Sequence, residues 1–150
     1  MIRIMHRVNT LAALQALAPG LGIEEKVLEL CRRHNVTRYF FLDVSFPSLI
    51  KLVKAGEYNV AIRYSEYEPV EHVLALQGKV AWVWVDCFNM QPLTRDAYHR
   101  IKPYFKLCLV SPELQQHGKS AIAVYRKELD RLGVKLDAVC TDFPDLWQDA

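Results

Sequence analysis

Neither sign of charge dominates this sequence: 19 basic residues face 17 acidic ones, a formal net charge of +2. Such a balance supplies no field to hold a polyanion, so neither nucleic acid nor an anionic membrane is expected as a partner. No apolar run approaches the ~18 residues that a membrane span needs, and the apolar stretch at the N-terminus is too short for a secretory leader. The expectation is a cytoplasmic protein without a membrane span. There is also no C-x-x-C pair. Cys31, Cys87, Cys108 and Cys140 are scattered, three of them in or beside apolar runs, which excludes a zinc-type cluster and suggests reduced, structural thiols. Low-complexity stretches and linkers are missing too, and 150 residues suit one domain, 1–150, with its own core.

Short apolar runs alternate with segments of helical period. The runs lie at 2–5, 39–44, 60–62, 80–85, 105–110 and 138–140. They are rich in β-branched and aromatic residues and mostly without polar alternation, as parallel strands covered on both faces should be. Between them, apolar stripes predict helices: Leu11, Leu14 and Ala18; Ile23, Val27 and Cys31; Phe46, Leu49, Ile50 and Val53; Val70, Val73 and Leu74; Ala97, Ile101 and Tyr104; Ile122, Tyr125, Leu129 and Leu132. Asn9-Thr10, Ser45 and Thr94 read as N-caps, and Gly20, Gly56 and Gly133 stand where helices should stop. Alternating strands and helices imply a parallel sheet with right-handed crossovers. His6-Arg7-Val8-Asn9 is not the Gly-rich turn of a dinucleotide fold, and a barrel-like sheet is the better expectation. One link is irregular: two helical stretches separate the first two strands with no strand between them.

In parallel α/β folds functional groups gather at the carboxyl ends of strands. Those ends carry His6 and Arg7, Asp43, Arg63 to Glu66, Asp86 and Asn89, Ser111 and Glu113, and Thr141 with Asp142. The set offers proton transfer, carboxylates and anion-pairing guanidinium groups. Each also has a plain reading as a helix cap or a solvated rim. Ser111 has no nucleophile-elbow context. The stretch Tyr64 to Glu68 suits either a sugar-like ligand or a simple loop.

The ordered series His6-Arg7, then 39–43, 61–66, 82–86 and 138–142, resembles the glycerophosphodiester phosphodiesterase and phosphatidylinositol phospholipase C-like superfamily, in particular an uncharacterised bacterial branch. That resemblance implies an eight-stranded (β/α) barrel using two histidines as acid and base and a calcium or magnesium ion held by carboxylates. His6 and Arg7 match the first element. The family's acidic pair and second histidine would fall near 21–25, where the sequence reads Leu-Gly-Ile-Glu-Glu, so two strands and most of the metal site are missing.

The expected fold is therefore α/β, a truncated TIM-like barrel of about six parallel β/α units, open or partly closed. Three functions stand open. The first is a non-catalytic relative that keeps a pocket for a phosphate ester or other anion, lined by Arg63, Glu66, Asp43, Asp86, Ser111 and Asp142, without metal or cofactor. The second is an active hydrolase using His6 and Arg7, with a calcium or magnesium site rebuilt from carboxylates. The third is a homo-oligomeric scaffold. The shortened sheet also suggests a homodimer, because strand 38–44 would otherwise be a bare edge.

Overall fold

The computed structural model describes residues 3–5 and 23–148. Five strands form one parallel sheet: β1 (Arg3–Met5), β2 (Ala61–Tyr64), β3 (Trp82–Val85), β4 (Lys106–Val110) and β5 (Ala138–Cys140). Five α-helices accompany them among the described residues: α1 (Ile23–Arg33), α2 (Phe46–Lys54), α3 (Val70–Leu74), α4 (Arg95–Ile101) and α5 (Ala121–Leu132). The mixed α/β class is as expected. None of these helices is long and apolar enough to cross a membrane.

Strand order is β1-β5-β4-β3-β2. Beyond β2, Phe41 adds a one-residue parallel bridge to Val60, made by Phe41 N–H to Asn59 and by Ala61 N–H to Phe41. The first strand thus pairs with the last, and the others follow in chain order. The expected strand over 39–44 shrinks to this bridge. Its physical reason is Asp43, whose φ of 53° is left-handed and cannot continue an extended strand. Val60, taken above as part of a strand, precedes β2 rather than opening it.

Because β2 to β5 are consecutive and parallel, right-handed crossovers carry α3, α4 and α5 along one face. Register puts Ile62, Val83, Leu107 and Val139 on one side and Arg63, Trp84, Cys108 and Ala138 on the other. Tyr64 shares the first side, and its hydroxyl reaches the Pro92 carbonyl just before α4 at 3.4 Å, so that side faces the helices. Val83, Leu107 and Val139 there are fully buried. On the other side Phe40 stacks on Trp82, with ring centroids 4.7 Å apart and planes 20° apart. Burying such aromatic surface contributes about 25 cal/mol per Å².

Helix ends follow local chemistry. Ser45 Oγ accepts from Ser48 N–H at 3.4 Å and Thr94 Oγ1 from Ala97 N–H at 3.1 Å, satisfying donors that the first turn leaves open. Gly133, at φ 73°, closes α5 as its N–H bonds Asp130 and the next N–H bonds Leu129, a left-handed stop that glycine adopts without steric cost.

Candidate functional site

Loops leaving the carboxyl ends of β2 and β3 form the first half of the rim. Arg63, the exposed residue of β2, donates from Nε to Glu68 Oε1 at 2.7 Å. Ser65 Oγ donates to the other oxygen of Glu68 and accepts the N–H of Tyr67 at 3.1 Å. The bond from Glu68, chiefly, holds the guanidinium more firmly protonated than usual, with Asp86 and Asp43 adding smaller pulls. Arg63 also lies over the Phe88 ring, 5.5 Å from its centroid.

Glu66 is fastened to the facing loop. Its Oε1 accepts from the backbone N–H groups of Asn89 and, at 3.4 Å, Met90. Burial pushes this carboxyl up, but the backbone donors of Glu66, Asn89, Met90 and Phe88 together bring it below the ordinary range. The 87–90 loop is gripped from its other side by His117. Its Nε2 donates to the carbonyls of Cys87 at 3.2 Å and Phe88 at 2.9 Å.

Asp86 ends β3 almost wholly buried. Its Oδ1 accepts from Cys87 N–H at 3.1 Å and from Gln115 Nε2 at 2.6 Å. Burial is the main reason its carboxyl lies above the usual range; Gln115 and Cys87 offset part of that, while Asp43 adds to it. Asp43 is exposed, and its carboxylate makes no hydrogen bond or ion pair among the described residues. Arg63, Asp43 and Asp86 therefore sit close enough to feel one another's charge.

The second half of the rim is a separate network. Glu113 accepts from Ser111 Oγ on one oxygen, and from Thr141 Oγ1 and Asp142 N–H (3.1 Å) on the other. Ser111 is fully buried and accepts the Trp147 indole N–H at 2.8 Å. It is thus an internal link and no part of an open pocket wall. Asp142 is exposed at the edge of this network.

Of the sequence-derived candidates, Asp43, Arg63 and Asp86 come together, Glu66 anchors the neighbouring loop, and Ser111 and Asp142 belong to the second network. His6 and Arg7 lie outside the described residues. Sequence reasoning missed Gln115, His117 and Trp147, and it read Glu68 only as part of the 64–68 stretch, not as the partner of Arg63 five residues before it.

The donor set does not fit the calcium or magnesium ion that the resemblance implies. Hard cations take six or more oxygens, whereas Glu66 has its Oε1 occupied by backbone donors and offers only its buried, unpartnered Oε2. Among the described residues no three His, Cys, Asp or Glu side chains converge on one point. No protein-family model matches the chain, and no curated protein or solved structure matches it either.

Proposed function

We propose that the chain is a degenerate, non-catalytic relative of the phosphodiesterase-like barrels, a shortened barrel that binds a small ligand at the carboxyl ends of its strands. The supporting observation for the barrel is strand order. In a closed parallel barrel every strand neighbours its successor and the last neighbours the first. Here β1 lies against β5, and Phe41, β2, β3, β4 and β5 follow in sequence, which fits a barrel interrupted between β1 and Phe41. An open doubly wound sheet would instead carry β1 in its middle.

Non-catalysis is favoured by the rim carboxylates. Glu113 is held on both oxygens by donors of the chain itself; Glu66 is held on Oε1, and its Oε2 is buried away from solvent, whereas a general base must reach its substrate to take a proton. The ligand implied by the resemblance is a phosphate ester or other anion. It would have to draw Arg63 away from Glu68 and pass Asp43 and Asp86. Assay of phosphodiester turnover with added calcium or magnesium tests the non-catalytic reading, and sulfate titration followed at Arg63 tests the anion. A second copy of the chain is the proposed cover for the interrupted side of the sheet, since an unpaired strand edge invites association.

A further inference from the structure

The near-neutral net charge conceals an uneven placement. At the carboxyl ends of the strands the carboxylates of Asp43, Glu66, Glu68, Asp86, Glu113 and Asp142 outnumber Arg63. The amino ends carry the opposite sign. Arg38, Lys79 and Lys135 each stand three residues before a paired position, at Phe41, Trp82 and Ala138, and Lys106 opens β4. All four are exposed, and none is paired with a carboxylate among the described residues. Glu57 and Asp137, the carboxylates of the same connecting segments, are already engaged. Glu57 accepts from the Tyr39 hydroxyl and Asn59 N–H, and Asp137 from Lys102 Nζ and Leu107 N–H. Helix dipoles favour the basic residues of the last helical turns, such as Arg32, Arg33, Lys51 and Lys54. They do not account for Arg38, Lys79, Lys106 and Lys135, which lie beyond those turns.

Backbone hydrogen bonds set the connecting segments side by side. Phe41 N–H bonds Asn59, Ala81 N–H bonds Tyr58 at 2.8 Å, Lys106 N–H bonds Ala81 at 2.9 Å and Asp137 N–H bonds Leu107 at 3.0 Å. With neighbouring strands about 4.8 Å apart, Arg38 to Lys135 spans about 20 Å along the sheet. Two aromatic rings interrupt this basic row. Tyr58 is 48% exposed and Tyr104, two residues before β4, is 47% exposed, and neither packs on another ring among the described residues. Cations interleaved with open aromatic rings suit a chain of phosphates whose bases can stack. An anionic bilayer suits this end less well, since binding in a membrane interface rests on a helix with an apolar face to bury, and these are short loops.

We infer that the amino-terminal end of the sheet binds single-stranded nucleic acid, with Arg38, Lys79, Lys106 and Lys135 on the phosphates and Tyr58 and Tyr104 against the bases. The surface lies at the opposite end of the strands from the ligand mouth and does not depend on it. It reverses the expectation drawn from net charge alone, because attraction of a polyanion depends on where the charges stand.

The test is fluorescence anisotropy of a labelled oligothymidylate of about 12 nucleotides, long enough for such a surface, titrated with the intact chain at several salt concentrations. Binding is expected at about 50 mM salt, falling on a log–log plot with a slope of about −3 for four phosphates engaged. Lys79→Ala and Lys135→Ala should each make that slope shallower by about 0.7. Lys127→Ala, which removes an exposed cation from α5, should leave it unchanged. Tyr58→Leu and Tyr104→Leu should each weaken binding about fivefold or more without altering the slope. All five substitutions fall on exposed side chains, so the variants should keep the wild-type unfolding midpoint. No binding at about 50 mM salt, an equal loss in Lys127→Ala, or full affinity in both tyrosine variants would each overturn the inference. So would capture by phosphatidylserine vesicles with none by the oligonucleotide, which would make the basic row a membrane contact.

Discussion

Arg63 Nε meets Glu68 Oε1 at 2.7 Å, while the second oxygen of that carboxylate is held by Ser65. The arginine that sequence alone offers to an anion is therefore already paired within its own loop. Both partners retain some exposure, so the pair contributes little to stability, about 0–1 kcal/mol. Glu68→Gln is expected to unfold at nearly the wild-type urea midpoint and to bind sulfate more tightly, because Arg63 is released. Unchanged sulfate affinity in calorimetry would show that Glu68 does not control access to Arg63.

Asp86 sets a pH dependence of opposite sign to that of Glu66. With its folded pKa raised, mainly by burial, the folded state binds the Asp86 proton more readily than the unfolded chain. Its contribution therefore favours folding at low pH and is lost as pH rises through the folded pKa. For Glu66, whose folded pKa is lowered, the contribution is present above the unfolded value and lost as pH falls through the folded one. Asp86→Asn keeps an oxygen for Gln115 and Cys87 and removes the charge. It should gain stability over wild type at pH 7, and the gain should shrink on acidification. Urea unfolding from pH 3 to 7 reads both slopes; a loss at pH 7 would contradict the burial argument.

Thiol chemistry should split the cysteines one against three. Cys31 is half-buried, whereas Cys87, Cys108 and Cys140 are buried. The Cys87 thiol is pushed up to about 12, first by burial and then by the charge of Asp86, and only a thiolate reacts readily. A disulfide reagent at neutral pH should modify one thiol quickly and the rest only with unfolding. Cys31→Ser should abolish the fast phase; a fast phase surviving in that variant would place the reactive thiol elsewhere.

Light scattering tests the proposed second copy. A species near twice the 17.3 kDa chain mass is expected at micromolar concentration. Phe40→Asp removes the ring stacked on Trp82 beside the short Phe41 bridge and should dissociate or aggregate the protein. A clean monomer in the wild type would instead favour a sheet that closes on itself.

Much of the scaffold was legible in the sequence because it depends on period and caps. The stripes beginning at Phe46, Ala97 and Ile122 became α2, α4 and α5, with Ser45 and Thr94 capping as read. The run at 39–44 misled because its aromatic and β-branched content is that of a strand, while the left-handed Asp43 that ends the extension is a matter of backbone conformation. Tyr104 was taken with the α4 stripe but lies past the helix, beyond Pro103. The rim was legible as a set of polar strand ends and illegible as a network. Glu113 joining Ser111 to Thr141, and Trp147 reaching back to Ser111, are contacts across loops that no local pattern encodes.

Phosphodiester turnover is the most direct test of the central claim. Pure protein should be assayed with bis(p-nitrophenyl) phosphate and with glycerophosphodiesters, with and without added calcium or magnesium. The account predicts hydrolysis near background under every condition, because Glu113 and one oxygen of Glu66 are engaged by the chain's own donors and no three metal-ligating side chains converge among the described residues. Turnover above ~1 s⁻¹ that depends on the metal and disappears in His6→Ala would contradict it.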